Sequence, residues 1–96
     1  MNDPYLDMVY EQWPNILMMY NMFAAKRPVM LFDVQEQRIY AYPYKAFKAE
    51  LSQRSQAILA KQYRQARRTH QMVVFVRDNE KQKLVSYSLA LDGLAN

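Results

Sequence analysis

The chain has no cysteine, a single glycine and a single histidine among its 96 residues. Without cysteine, neither a disulfide framework nor a thiolate metal site can form. Gly93 stands near the C-terminal end, so phosphate loops and dinucleotide-binding turns lack the glycines that let a backbone approach a phosphate closely. A zinc ion at His70 would have to be held mostly by carboxylates, a poor donor set for that metal. No metal and no cofactor are therefore expected. Ser52, Ser55, Ser86 and Ser88 have no accompanying feature that directs them to His70, so no nucleophile–base pair is read and no catalytic residue is assigned. The expectation is a protein that is not an enzyme and has no small-molecule substrate. His70 itself is placed at the end of the second helix, where a protonated imidazole suits the helix dipole.

Long apolar runs are also missing. Ile16–Tyr20 and Met72–Val76 are the longest, far short of the ~20 residues a bilayer span requires. The first residues are acidic rather than basic, unlike a signal peptide. A soluble cytoplasmic protein without membrane contact is the expectation, and the length suits a single domain over residues 1–96.

The net charge of +4 is unevenly spread. Residues 1–25 contain Asp3, Asp7 and Glu11 and no Lys or Arg, whereas residues 43–70 contain seven basic residues against Glu50 alone. The first helix is thus acidic and the second basic. They can face each other as neighbours, or the basic one can face an acidic partner.

Asp3-Pro4 has the chemistry of a helix start, with Asp as cap and Pro in the first turn. Apolar spacing continues to Ala25, giving a helix over about 4–25, and Pro14 predicts a kink near Tyr10–Pro14 because its ring meets the carbonyl of Tyr10. Val29–Val34 and Arg38–Tyr42 read as a hairpin (about 29–42), and a second long helix covers about 44–69. Met72–Arg77 and Leu84–Leu91 read as a second hairpin (about 72–91), followed by a tail at 92–96. The result is an α+β fold of order α-β-β-α-β-β, with two long helices and a four-stranded, mainly antiparallel sheet. Its halves resemble each other loosely, as an internal duplication would. The first and third strands are apolar on both faces and belong in the centre, while the second and fourth alternate as edges do. This favours the order 2-1-3-4. The competing layout, a permuted ferredoxin-like sheet, would centre the second and fourth strands. If both helices lay on one sheet face, the other would be open and would invite association.

On the first helix, Leu6, Val9, Tyr10, Trp13, Ile16, Leu17, Tyr20 and Phe23 form the expected core face. Met8, Met18, Met19 and Met22 fall on the other side beside Asp7, Glu11 and Asn15. Methionine is common on adaptable binding surfaces, so these four are the expected protein interface, most simply in a homodimer and otherwise with another protein. On the second helix Phe47, Leu51, Ile58, Leu59 and Ala66 are expected to share the core face. Arg54, Lys61 and Arg68 recur every seven residues beside it, flanked by Arg64 and Arg67. With Arg38, Tyr40 and Tyr42 on one strand face, they form the expected surface for an anionic partner or nucleic acid. Asp33, Glu36, Asp78 and Glu80 bracket the turns and are read as solvated turn formers rather than Mg²⁺ ligands or an acid–base pair. A non-enzymatic interaction module is therefore the leading expectation and nucleic-acid binding the alternative. A metal-free nuclease resting on Arg, Tyr and His70 comes third, with no spacing to support it.

Overall fold

The computed structural model describes residues 2–91, so the tail at 92–96, with Gly93, lies outside it. The chain runs α1 (Pro4–Glu11), α2 (Trp13–Met22), a 3-10 turn (Ala24–Lys26), β1 (Val29–Asp33), β2 (Arg38–Tyr42), α3 (Tyr44–Ala49), α4 (Gln53–Arg68), β3 (Gln71–Asp78) and β4 (Lys83–Ala90). The four strands form one sheet of order β2-β1-β3-β4. Both hairpins are antiparallel, while the central β1 and β3 run parallel, with Met30 opposite Val74 and Asp33 opposite Arg77. No described helix is long and apolar enough to cross a membrane.

The two helical layers lie on opposite faces of the sheet. On one face Val9, Trp13 and Ile16 of α1–α2 pack on Met30, Phe32, Met72, Val74 and Val76. On the other, Phe47 of α3 and Leu59 and Ala66 of α4 pack on Val29, Leu31, Val73 and Phe75. This is why β1 and β3 are apolar on both sides: each alternate residue meets a different helical layer. An open sheet face, one of the two expected routes to association, is therefore not presented. The edge strand β4 turns Val85, Tyr87 and Leu89 toward α1–α2. Its opposite side carries Ser86 and Ser88; Ser86 donates to Gln62 on α4, whose amide donates to Ser88.

Each expected long helix is divided. Asp3 caps α1 by accepting from the backbone N–H of Tyr5 and Leu6, and Pro14 falls in the first turn of α2, where its missing N–H costs nothing. The bend at Gln12 sits within the expected window. Its consequence is a rolled core stripe: Tyr5, Met8, Leu17, Met19 and Tyr20 pack against the cluster, whereas Tyr10 and Phe23 are exposed. The roll is anchored at the N-terminus, where Tyr5 donates to Asp78 and Tyr87 donates to Asp3, each at 2.8 Å. The second expected helix restarts at Ser52, whose side chain accepts from the N–H of Ser55. With that restart the packed stripe of α4 is Leu59, Tyr63 and Ala66, and Ile58 points outward instead of into the core.

The two halves match in connectivity and in turn chemistry. Asp33 accepts from the N–H of Glu36 and Asp78 from that of Lys81. Each four-residue turn ends on a left-handed glutamine, Gln37 at φ 53° and Gln82 at φ 52°. Asp33 lies opposite Arg38 and Asp78 opposite Lys83. A half-turn about an axis along the strands, between β1 and β3, exchanges the halves. It keeps the central strands parallel and swaps the sheet faces, which is why the helical layers lie on opposite sides.

The turn carboxylates depart from expectation. Asp33 is fully buried and Asp78 is 6% exposed, rather than solvated, while Glu36 and Glu80 are exposed. Asp33 accepts from the Arg77 guanidinium at 2.7 Å, and Asp78 accepts from Tyr5 and from the Gln35 amide. The Glu36 N–H, and then Arg77, hold the Asp33 carboxyl below the usual carboxylate range. Gln35 and Tyr5 do the same for Asp78. These donors bring the turn ends of the hairpins together, so both carboxylates serve the fold.

Candidate functional site

Because β1 and β3 run parallel, the segments leading into them arrive side by side at one end of the sheet. The first is Arg27-Pro28, after the 3-10 turn; the second is His70, after α4. Arg27 and His70 both adopt left-handed backbone, at φ 48° and 54°, a conformation non-glycine residues visit seldom. The Tyr63 hydroxyl donates to the Arg27 carbonyl at 2.6 Å, tying α4 to the first of these segments. Between them lies a cleft of about 520 Å³.

The cleft is lined by Arg27, Arg64, Arg67, Arg68 and His70, with Tyr20 and Tyr63 among its walls and Pro28, Met72 and Val73 as apolar lining. No Asp or Glu is among the described lining residues. Arg77–Asp33 is the one ion pair found among the described residues, so Arg27, Arg64 and Arg68 have no carboxylate partner there. Tyr63 stacks on Tyr44 with ring centroids 4.1 Å apart, and burial pushes its hydroxyl pKa above the ordinary value. Chemically the cleft is a cationic recess with aromatic walls. Among the described residues, no group of three or more His, Cys, Asp or Glu side chains is placed to hold a metal ion.

The anionic-partner residues expected from the sequence divide into three places. Arg64, Arg67 and Arg68 line the cleft. Lys61 lies in a shallower groove of about 450 Å³ with Ile58, Gln62, Gln65 and Ser86, between α4 and β4. Arg54 is in the first turn of α4, about 20 Å from Arg68 at 1.5 Å per residue. Arg38 lies opposite Asp33 in the strand register at the turn end of the hairpin, the opposite end of β1 from Arg27. Tyr40 and Tyr42 do share a strand face, but that face lies under α3. They are half-buried and stacked on each other at 5.8 Å, with Tyr42 against Phe47 and the Tyr40 hydroxyl donating to Glu36.

The expected methionine face also divides. Met8 and Met19 are half-buried against the α1–α2 core, while Met18 is 61% and Met22 70% exposed. Of the cleft residues, the sequence places His70 at a helix end and in the third-ranked nuclease reading, Tyr20 in the core, and Arg27 in no candidate site. The signal that unites them is topological: once β1 and β3 are parallel neighbours, the residues just before each strand must meet. No family model, curated protein or solved structure matches the chain.

Proposed function

We propose that the chain is a non-enzymatic interaction module that self-associates through the exposed line of α2. The observation that supports this reading is the pair Met18 and Met22, one turn apart and both more than half exposed. Asn15 continues their line, and Phe23, also exposed, follows at the helix end.

A second copy is the favoured occupant because α2, WPNILMMYNM, carries no charged residue. Two such helices can lie against each other with no like-charge repulsion, methionine to methionine, with asparagines at the margin. A partner chosen by charge would find nothing to select on this helix. Methionine suits such a seam because its unbranched side chain adapts to an irregular facing surface.

Sedimentation velocity across a concentration series tests this. The wild type is expected to shift toward a dimer as concentration rises, and Met18→Glu with Met22→Glu to stay monomeric with an unchanged circular-dichroism spectrum. A wild type that stays monomeric at the highest concentration would remove the reading. So would a double variant that still dimerises.

A further inference from the structure

We propose that the arginine-lined cleft is a binding site for phosphate groups, of the kind presented by a nucleotide or a nucleic-acid strand. The inference does not rest on self-association, since it concerns the N-terminal ends of the parallel strands and the C-terminal turns of α4.

Three observations carry it. The first is the charge of the walls. Four arginines and a histidine line one recess whose described lining includes no carboxylate. Grouping cations in a partly enclosed space is unfavourable unless an anion compensates them, and the low-dielectric walls focus the field on whatever enters. The second is the type of cation. All four are arginines, although the chain also has lysines elsewhere on α3 and α4. The planar fork of arginine matches phosphate oxygens two at a time, and its weak hydration lowers the cost of leaving water. The third is size and lining. About 520 Å³ exceeds what an inorganic ion needs and falls in the range of small-molecule sites. Tyr20 and Tyr63 put aromatic side chains among the arginines of the lining, the residue types beside which nucleobases rest.

Phosphate is favoured over carboxylate on charge density. A phosphate monoester brings close to two negative charges and three acceptor oxygens to one point, and a strand repeats its charge at each step. A side-chain carboxylate brings one. The positions of the arginines are held by the fold: Arg64, Arg67 and Arg68 occupy the last turns of α4, and Tyr63 bonds the carbonyl of Arg27.

The probe is a fluorescein-labelled oligothymidylate followed by anisotropy at low salt and then along a salt series, with ATP and polyglutamate as competitors. Binding is expected to weaken with salt. Arg64→Gln with Arg68→Gln should weaken it by about tenfold and flatten the slope of log K against log salt by about 1.4, from ~0.7 per phosphate contact on a single strand. Arg54→Gln with Lys45→Gln removes the same charge outside the cleft and should leave affinity within about twofold. Competition by ATP at micromolar concentration would identify a free nucleotide as the source of phosphate. Binding that strengthens with oligonucleotide length and resists ATP would identify a strand. The proposal is overturned if neither probe binds at low salt, if both variant pairs lose affinity equally, or if polyglutamate competes as well as the oligonucleotide. The Met18→Glu, Met22→Glu variant should bind the probe normally, so failure here and failure of self-association are separately visible. All of these substitutions are at exposed positions, and thermal melts confirm that each variant is folded.

Discussion

Replacing Arg77 by methionine isolates the one buried charge pair of the described fold. Asp33 is fully buried and accepts from the Arg77 Nε at 2.7 Å, while the arginine side chain remains 35% exposed. Stranding a fully buried ion costs about 3–5 kcal/mol. Asp33 would keep the Glu36 N–H at 2.8 Å, and the partner's outer side is in water, which screens its contribution. About 2 kcal/mol is therefore expected at neutral pH. In a domain of this length that is a loss of about 8–16 °C in Tm, from a total stability of about 5–14 kcal/mol. Trp13, the sole tryptophan, is buried in the core and reports unfolding by its emission. The pH dependence follows from the sign of the shift. The Asp33 carboxyl lies below its ordinary value of 3.8 in the folded protein, so its contribution is present above pH 3.8 and is lost as pH falls below it. In the variant that carboxyl is held less strongly, so wild type and variant should converge in acid. Asp33→Asn with Arg77→Met should recover much of the loss at neutral pH. A single variant within 0.5 kcal/mol (about 3 °C) of wild type at neutral pH would refute the reasoning, as would a deficit that does not change with pH.

Two further outcomes are expected. Burial, and then the bond to Asp3, push the Tyr87 hydroxyl up to about 12 from an ordinary 10, so its contribution is present below pH 10 and lost between about pH 10 and 12. Denaturant titrations across that interval should show falling stability, and Tyr87→Phe should flatten the fall. Gln82 holds φ 52° without a side-chain bond among the described residues, so Gln82→Gly should raise stability by about 0.5–1 kcal/mol. Gln37→Gly should gain less in the same denaturant melts, because the Gln37 amide also donates to the Val34 carbonyl at 2.8 Å.

The strand order was legible because it follows from a local property: Val29–Phe32 and Met72–Val76 are apolar on both sides, and only central strands have use for that. The parallel pairing and the opposite placement of the helical layers were not. Both depend on the path of α3–α4 from the end of β2 to the start of β3 beside β1, and no residue pattern encodes that path. Tyr10 and Ile58 were assigned to the core by counting along unbroken helices; the restarts at Gln12 and Ser52 shifted the count. Asp33 and Asp78 looked like ordinary turn residues because their burial comes from partners more than 40 positions away, or from α1. The cleft was half legible. Arg64, Arg67 and Arg68 stood out as a basic cluster, but Arg27 and His70 joined them only through the parallel seam.

That seam also determines the order in which the molecule can assemble. Each hairpin closes over four residues, on the timescale of microseconds, and needs nothing from the other half. The contacts of β1 with β3 join residues 44 apart in the chain, so they carry the largest loop-closure entropy in the sheet. Before they form, both doubly apolar strands have one bare edge. The slow step of folding should therefore be the meeting of two preformed helix–hairpin units, with substitutions at Leu31 or Phe75 slowing it and substitutions in the turns leaving it unchanged.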